Sequence, residues 1–163
     1  MKRLFCLILA ACLLLSGCSL SSGGLREPVR FYYLRSEYQY DTPDGVIASE
    51  IREAAGHTHD LPYLLALYLI GPSEDELVSP IPRGTRIYSA VTEGDTVTLT
   101  LSDTGKTMTD GEFSLACACL ALTSMEITGA GAVTIQSGER NVTMTSDNLT
   151  LYDGGPAATE ETQ

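Results

Sequence analysis

The chain has 163 residues, 44% of them hydrophobic, and carries 21 acidic against 10 basic side chains for a formal net charge of −11. Acidity of that size argues against nucleic acid as a partner, because no basic surface is left to neutralise phosphates and release counterions. It argues equally against adhesion to anionic lipid by charge, so a membrane attachment has to be made by apolar groups.

The first element is a leader. Lys2 and Arg3 form a short positive region, Leu4 to Leu15 is apolar, and small residues lead to Cys18. This is the layout of a secretory signal peptide, whose apolar core of about a dozen residues is too short to span a bilayer. Its ending, Leu15-Ser16-Gly17-Cys18, resembles the lipobox of bacterial lipoproteins. The resemblance implies cleavage before Cys18, a diacylglyceryl group on the Cys18 thiol and residence at the outer face of the cytoplasmic membrane. The competing reading is an ordinary signal peptide that happens to contain a cysteine. Losing residues 1–17 removes two cations and no anion, which takes the net charge from −11 to −13. Two acyl chains suffice for stable anchoring, where one would be marginal.

Residues 18–28 follow as a lipidated flexible tether, with the Ser/Gly-rich run Ser19 to Glu27 as spacer. A folded domain is expected over 29–152, long enough for one core. An acidic Gly/Pro/Ala tail, 153–163, has nothing to bury. Within the domain, Val29 to Leu34 is β-branched and aromatic, a first strand. Asp41 to Gly45 is turn-rich. Val46 to Ala55 is ambiguous between extended and helical. Asp60 can cap a helix whose body, Leu64 to Ile70, is apolar almost all round, with Pro62 tolerated in the first turn and Gly71-Pro72 as the stop.

Arg86 to Val91 and Thr96 to Leu101 read as a hairpin about Thr92 to Asp95. Val97, Leu99 and Leu101 share one face and Thr96, Thr98 and Thr100 the other. Thr109-Asp110-Gly111-Glu112 offers a capping box for a second apolar helix, Phe113 to Ile127, broken by Gly129-Ala130-Gly131. Ala132 to Gln136 and Asn141 to Thr145 form a second hairpin, and Leu149 to Tyr152 is a possible edge strand. The order is roughly βαββαββ, which points to an α+β domain with two helices packed on a mainly antiparallel sheet.

The segment Leu64 to Ser102 resembles a GerMN domain, a sporulation and spore-germination module. The match is carried by Leu64-Leu65-x-Leu67, Gly71-Pro72, Leu77, Ser79, Ile81-Pro82-x-Gly84-Thr85, Ile87 and Leu101-Ser102, and continues through Leu122-Thr123 and Val133. Of the string that normally opens the family's segment, Val46 to Glu50 keeps the glutamate, and the second helix is richer in Ala and Cys than usual. With the lipobox and the lack of a catalytic constellation, the resemblance points to a non-catalytic, lipid-anchored envelope protein that binds another protein or a cell-wall component, and it implies a role in sporulation or germination. No cofactor or metal is expected.

Candidate chemistry is sparse. His57, His59 and Asp60 make the one histidine cluster, but no distant His or Cys completes a metal set, and loop residues with Asp60 as a helix cap is the better reading. Glu50, Glu53, Glu74, Asp75 and Glu76 supply carboxylates for an alternative, an enzyme acting on peptidoglycan through residues such as Glu50 and Glu74. Against it, Glu74 to Glu76 reads as a solvated acidic tip. Of the five cysteines, Cys6 and Cys12 leave with the leader. Cys117 and Cys119 lie about 200° apart on a helix, so they serve as small apolar fillers rather than as a disulfide or metal pair. Asn141-Val-Thr143 and Asn148-Leu-Thr150 match glycosylation sequons by chance.

Overall fold

The computed structural model describes residues 27–37 and 45–149. The leader, Cys18, the tether up to Arg26, the turn at Asp41 and the tail lie outside the described residues, as does the expected edge strand beyond Leu149.

The β-branched and aromatic first segment forms β1, Pro28–Arg35, with Val29, Phe31 and Tyr33 turned into the core. The ambiguous segment resolves as a strand, β2 (Ile47–Glu53), paired antiparallel to β1 from Pro28↔Glu53 to Leu34↔Ile47. Helix α1 is Leu61–Leu69, capped as its sequence directs: the Asp60 carboxylate accepts from Tyr63 N–H at 3.1 Å. Gly71 follows at φ 103°, a conformation that Gly adopts without a Cβ penalty. The short strand β3, Leu77–Val78, pairs with the end of β1 to complete a sheet in the order β2-β1-β3.

The second sheet has the order β4-β5-β6-β7. Strands β4 (Ile87–Glu93) and β5 (Thr96–Leu101) form the expected hairpin, as do β6 (Ala132–Ser137) and β7 (Arg140–Thr145). Val97, Leu99 and Leu101 are buried while the intervening threonines are half-buried, so the alternation places the core face correctly. One pairing was not foreseeable locally: β5 and β6 run parallel, from Thr96↔Ala132 to Leu101↔Ser137. Parallel neighbours need a long crossover, and here it contains helix α2, Asp110–Thr128.

Helix α2 opens on the capping box, with Glu112 N–H donating to Thr109 Oγ1 and Thr109 N–H to Glu112 Oε2 at 2.8 Å. It ends at Gly129 in the left-handed region, φ 73°. The helix packs against β1 of the first sheet and against β6 and β7 of the second. Contact with both sheets explains why it is apolar on nearly every side and rich in small residues, since Ala116, Cys117, Ala118, Cys119 and Ala121 let two layers approach closely. The two cysteines face apart. Cys117 lines a void of about 10 Å³ beside Leu101, Phe113 and Leu120, whereas Cys119 lies near the buried hydroxyls of Tyr33 and Tyr68. Both thiols are free, and burial pushes each up to about 12. The α+β class holds, with its strands divided between two sheets and a helix serving both.

Candidate docking surface

The carboxylates proposed as catalytic do not form a catalytic pair. Glu50, in β2, is 2% exposed, and its carboxylate accepts from the Arg52 guanidinium, from Ser73 N–H at 2.9 Å and Ser73 Oγ at 3.0 Å, and from Glu74 N–H at 3.2 Å. Burial would raise this carboxyl, but hydrogen bonds from Arg52 and Ser73 outweigh it and hold the group below the usual carboxylate range. A carboxylate with its lone pairs so engaged has no room to take a substrate proton. Glu74 contributes its backbone N–H to Glu50, while its side chain belongs with Asp75 and Glu76 to an exposed acidic loop.

Arg52 extends this network. Its guanidinium donates to the Gly71 carbonyl and, at 3.2 Å, to the Tyr33 hydroxyl, and it lies 5.3 Å from the Phe31 ring centre. Tyr33 Oη in turn donates to the Tyr68 carbonyl at 3.1 Å, with the two rings stacked at 4.7 Å. The Gly71-Pro72 stop therefore does more than end α1. It delivers Ser73 to a buried glutamate and a carbonyl to a half-buried arginine, fixing the helix C-terminus on the first sheet.

Other motif residues are explained in the same way. Leu64 and Leu65 are fully buried. Thr85 Oγ1 donates to the Pro82 carbonyl at 2.7 Å and lies 3.2 Å from Thr104 Oγ1, while Arg86 N–H donates to Ser102 Oγ at 3.0 Å. These bonds tie the Ile-Pro-x-Gly-Thr entry to the Leu-Ser end of the hairpin. Thr123 Oγ1 accepts from Tyr32 N–H at 3.0 Å, satisfying a strand donor on the part of the β1 edge that β3 does not reach.

Held on this frame are two apolar surfaces. Pro62, Ala66 and Leu69 of α1 border a depression of about 260 Å³ shared with Ile87, Tyr88 and Ala90 of β4, and Tyr63 and Ile70 are exposed on the same side of the helix. Ile70 is 81%, Tyr88 69% and Tyr63 40% exposed. The second is a groove of about 390 Å³ between the Ser79–Pro82 link and the first turns of α2, floored by Leu34, Val78, Pro80, Ile81, Met108 and Leu115. Sequence reading missed both, because each joins residues from separate elements.

The histidine cluster is a loop, as expected. His57 stacks on Tyr63 at 4.0 Å and lies 3.4 Å from the Asp60 carboxylate that caps α1. Among the described residues no group of three His, Cys, Asp or Glu side chains is placed to hold a metal, and no helix is long and apolar enough to cross a membrane.

A family model described as "Germane: Sporulation and spore germination" matches residues 30–143, from the third residue of β1 into β7. The chain belongs to that family. The match covers the whole of the frame just described, including Glu50, Gly71-Pro72 and both apolar surfaces. Among solved structures, the tandem GerMN domains of the sporulation protein GerM from Bacillus subtilis align with TM-score 0.48 and 16% identity, over 74% of this chain and 43% of that one. The chain thus spans less than half the length of that protein. A candidate lipoprotein from Clostridium perfringens aligns with TM-score 0.45 and 14% identity, over 74% of this chain and 89% of its own. No curated protein sequence matches the chain.

Proposed function

We propose that this Germane-family domain is a non-catalytic adaptor of the cell envelope, held at the outer face of the cytoplasmic membrane by a lipid on Cys18, and that it binds an envelope protein during sporulation or germination. The observation that carries the reading is the family match across residues 30–143, over a frame in which the buried Glu50 carboxylate is committed to structure. The leader ending in Leu15-Ser16-Gly17-Cys18 supports the anchor.

A protein partner suits the groove beside α2 better than a glycan does. Its floor is Leu, Val, Pro, Ile and Met, and the sequence contains no Trp to stack on a sugar ring. Photo-crosslinking from Val78 in spore-forming cells, compared with crosslinking from Thr143 on β7, tests it. A discrete protein adduct at Val78 alone supports the reading. Co-sedimentation of the purified domain with peptidoglycan, and no adduct, would replace the protein by the cell wall. The enzymatic alternative predicts muropeptide release that Glu50→Gln abolishes without unfolding the domain. Cys18→Ala should release the protein from membranes or leave it unprocessed.

A further inference from the structure

We infer that the exposed face formed by α1 and the start of β4 rests on the lipid surface beside the anchor, so that the domain is oriented on the membrane and does not swing freely above it. The inference rests on the proposed attachment at Cys18 and goes beyond it.

The first observation is composition. From Leu61 to Ser73 the sequence has no charged residue, yet only one side of α1 is buried. A helix apolar all round has to be covered on every side. Here Leu61, Leu64, Leu65 and Tyr68 face the core, while Pro62, Tyr63, Ala66 and Ile70 are exposed. Tyr88 extends the patch onto the start of β4. Tyrosines beside aliphatic groups suit the headgroup boundary of a bilayer, where charged neighbours such as Asp60 and Arg86 stay in the polar layer.

The second observation is where the tether joins. The Glu27 carbonyl accepts from Ala54 N–H at 3.1 Å, the Ala54 carbonyl accepts from His57 N–H at 2.9 Å, and the His57 ring stacks on Tyr63. Three successive contacts therefore link the first described residue to the exposed face of α1. The nine residues from Cys18 to Arg26 reach at most about 30 Å when fully extended. That is comparable with the width of a domain this size, so the side nearest the tether's entry is kept close to the bilayer. The acidic loop Glu74 to Glu76, next to Ile70, makes the contact one with neutral rather than anionic lipid.

The sequence lacks Trp, so a single introduced indole reports its own surroundings. The chain from Cys18 to Gln163 is coupled through Cys18 to a maleimide phospholipid in phosphatidylcholine vesicles, and Tyr63→Trp, Tyr88→Trp and Thr143→Trp are compared. Emission from the first two should shift to shorter wavelength on coupling and be quenched by nitroxide-labelled acyl chains, with Thr143→Trp unchanged. Adding phosphatidylglycerol should weaken the quenching. Unchanged emission at positions 63 and 88 in the coupled chain overturns the inference, as does equal quenching at 143. A blue shift that grows with protein concentration without lipid also overturns it, by making a second copy the occupant. Should Tyr63→Trp fail to melt cooperatively, Ala66→Trp reads the same face. Because the coupling is chemical, the result stands apart from the lipidation of Cys18 in cells, which Cys18→Ala tests separately.

Discussion

The Glu50 carboxylate meets the Arg52 guanidinium on one face of β2, two residues apart in the strand period, and the pair closes over the C-terminus of α1. Glu50 is almost wholly enclosed, and Arg52 keeps 14% of its side chain exposed. Breaking such a pair from one side leaves an uncompensated charge and strands the N–H groups of Ser73 and Glu74. Glu50→Ala should therefore cost about 3–5 kcal/mol, measured by denaturant unfolding. A loss under about 1 kcal/mol, the range of surface pairs, would mean that the network is not a structural centre.

The same carboxylate sets an acid dependence. Its folded pKa is depressed below the unfolded value of about 4.3, chiefly because the hydrogen bonds of Arg52 and Ser73 outweigh burial. Between those two values the unfolded chain binds more protons, so stability rises with pH there. Glu50 therefore contributes its full stabilisation above about pH 4.3 and loses it as pH falls through the folded pKa. Melting curves from pH 7 down to pH 3 should show a shallower acid decline for Glu50→Gln than for the native chain. Parallel curves would remove Glu50 from the account.

Thr123→Val keeps the shape of the side chain and deletes the acceptor of the Tyr32 N–H. A buried donor left unpaired costs about 1–3 kcal/mol. The matching readout is hydrogen exchange, in which the Tyr32 amide should lose protection beyond its neighbours in β1. Uniform loss across the strand would indicate a general packing defect.

Cys117 and Cys119 should be inert in the folded chain, because burial pushes each thiol up to about 12 and leaves almost no thiolate at pH 8. Mass spectrometry of a chain beginning at Ser19 should find no iodoacetamide adduct under native conditions and two in guanidinium. Rapid native labelling of Cys119 would show that α2 opens from the first sheet.

Gly138 sits at φ 60°, and a Cβ there would overlap the Asp103 carboxylate. Gly138→Ala should lose about 1–2 kcal/mol from the left-handed backbone, with a further loss from the clash. In an Asp103→Ala background the second part should vanish. An unchanged penalty in the double variant would assign the whole effect to the backbone.

The caps and hairpins were legible because their partners are a few residues away. Asp60 reaches Tyr63, Thr109 reaches Glu112, and the period of two in Thr96 to Leu101 names its own buried face. Val46 to Ala55 stayed ambiguous until β1 supplied a partner strand, since extended backbone is stabilised by its neighbour more than by its own residues. The two-residue strand β3 left no periodic trace at all. The leucine-rich helix, Gly-Pro stop and Ile-Pro-x-Gly-Thr entry named the family, but as letters they did not reveal their work.

Sequence alone determined the acidity, the two helices, the two hairpins and the family, all of which reside in composition, short-range spacing or motif. Tertiary structure decided what the motif is for. Glu50 meets Ser73 across 23 positions, and Tyr32 meets Thr123 across 91. Such contacts arise from chain topology, through the parallel pairing of β5 with β6 and the seating of α2 between two sheets. Local pattern cannot specify them, because an apolar helix reads the same whether a sheet, a second sheet or a membrane covers its faces.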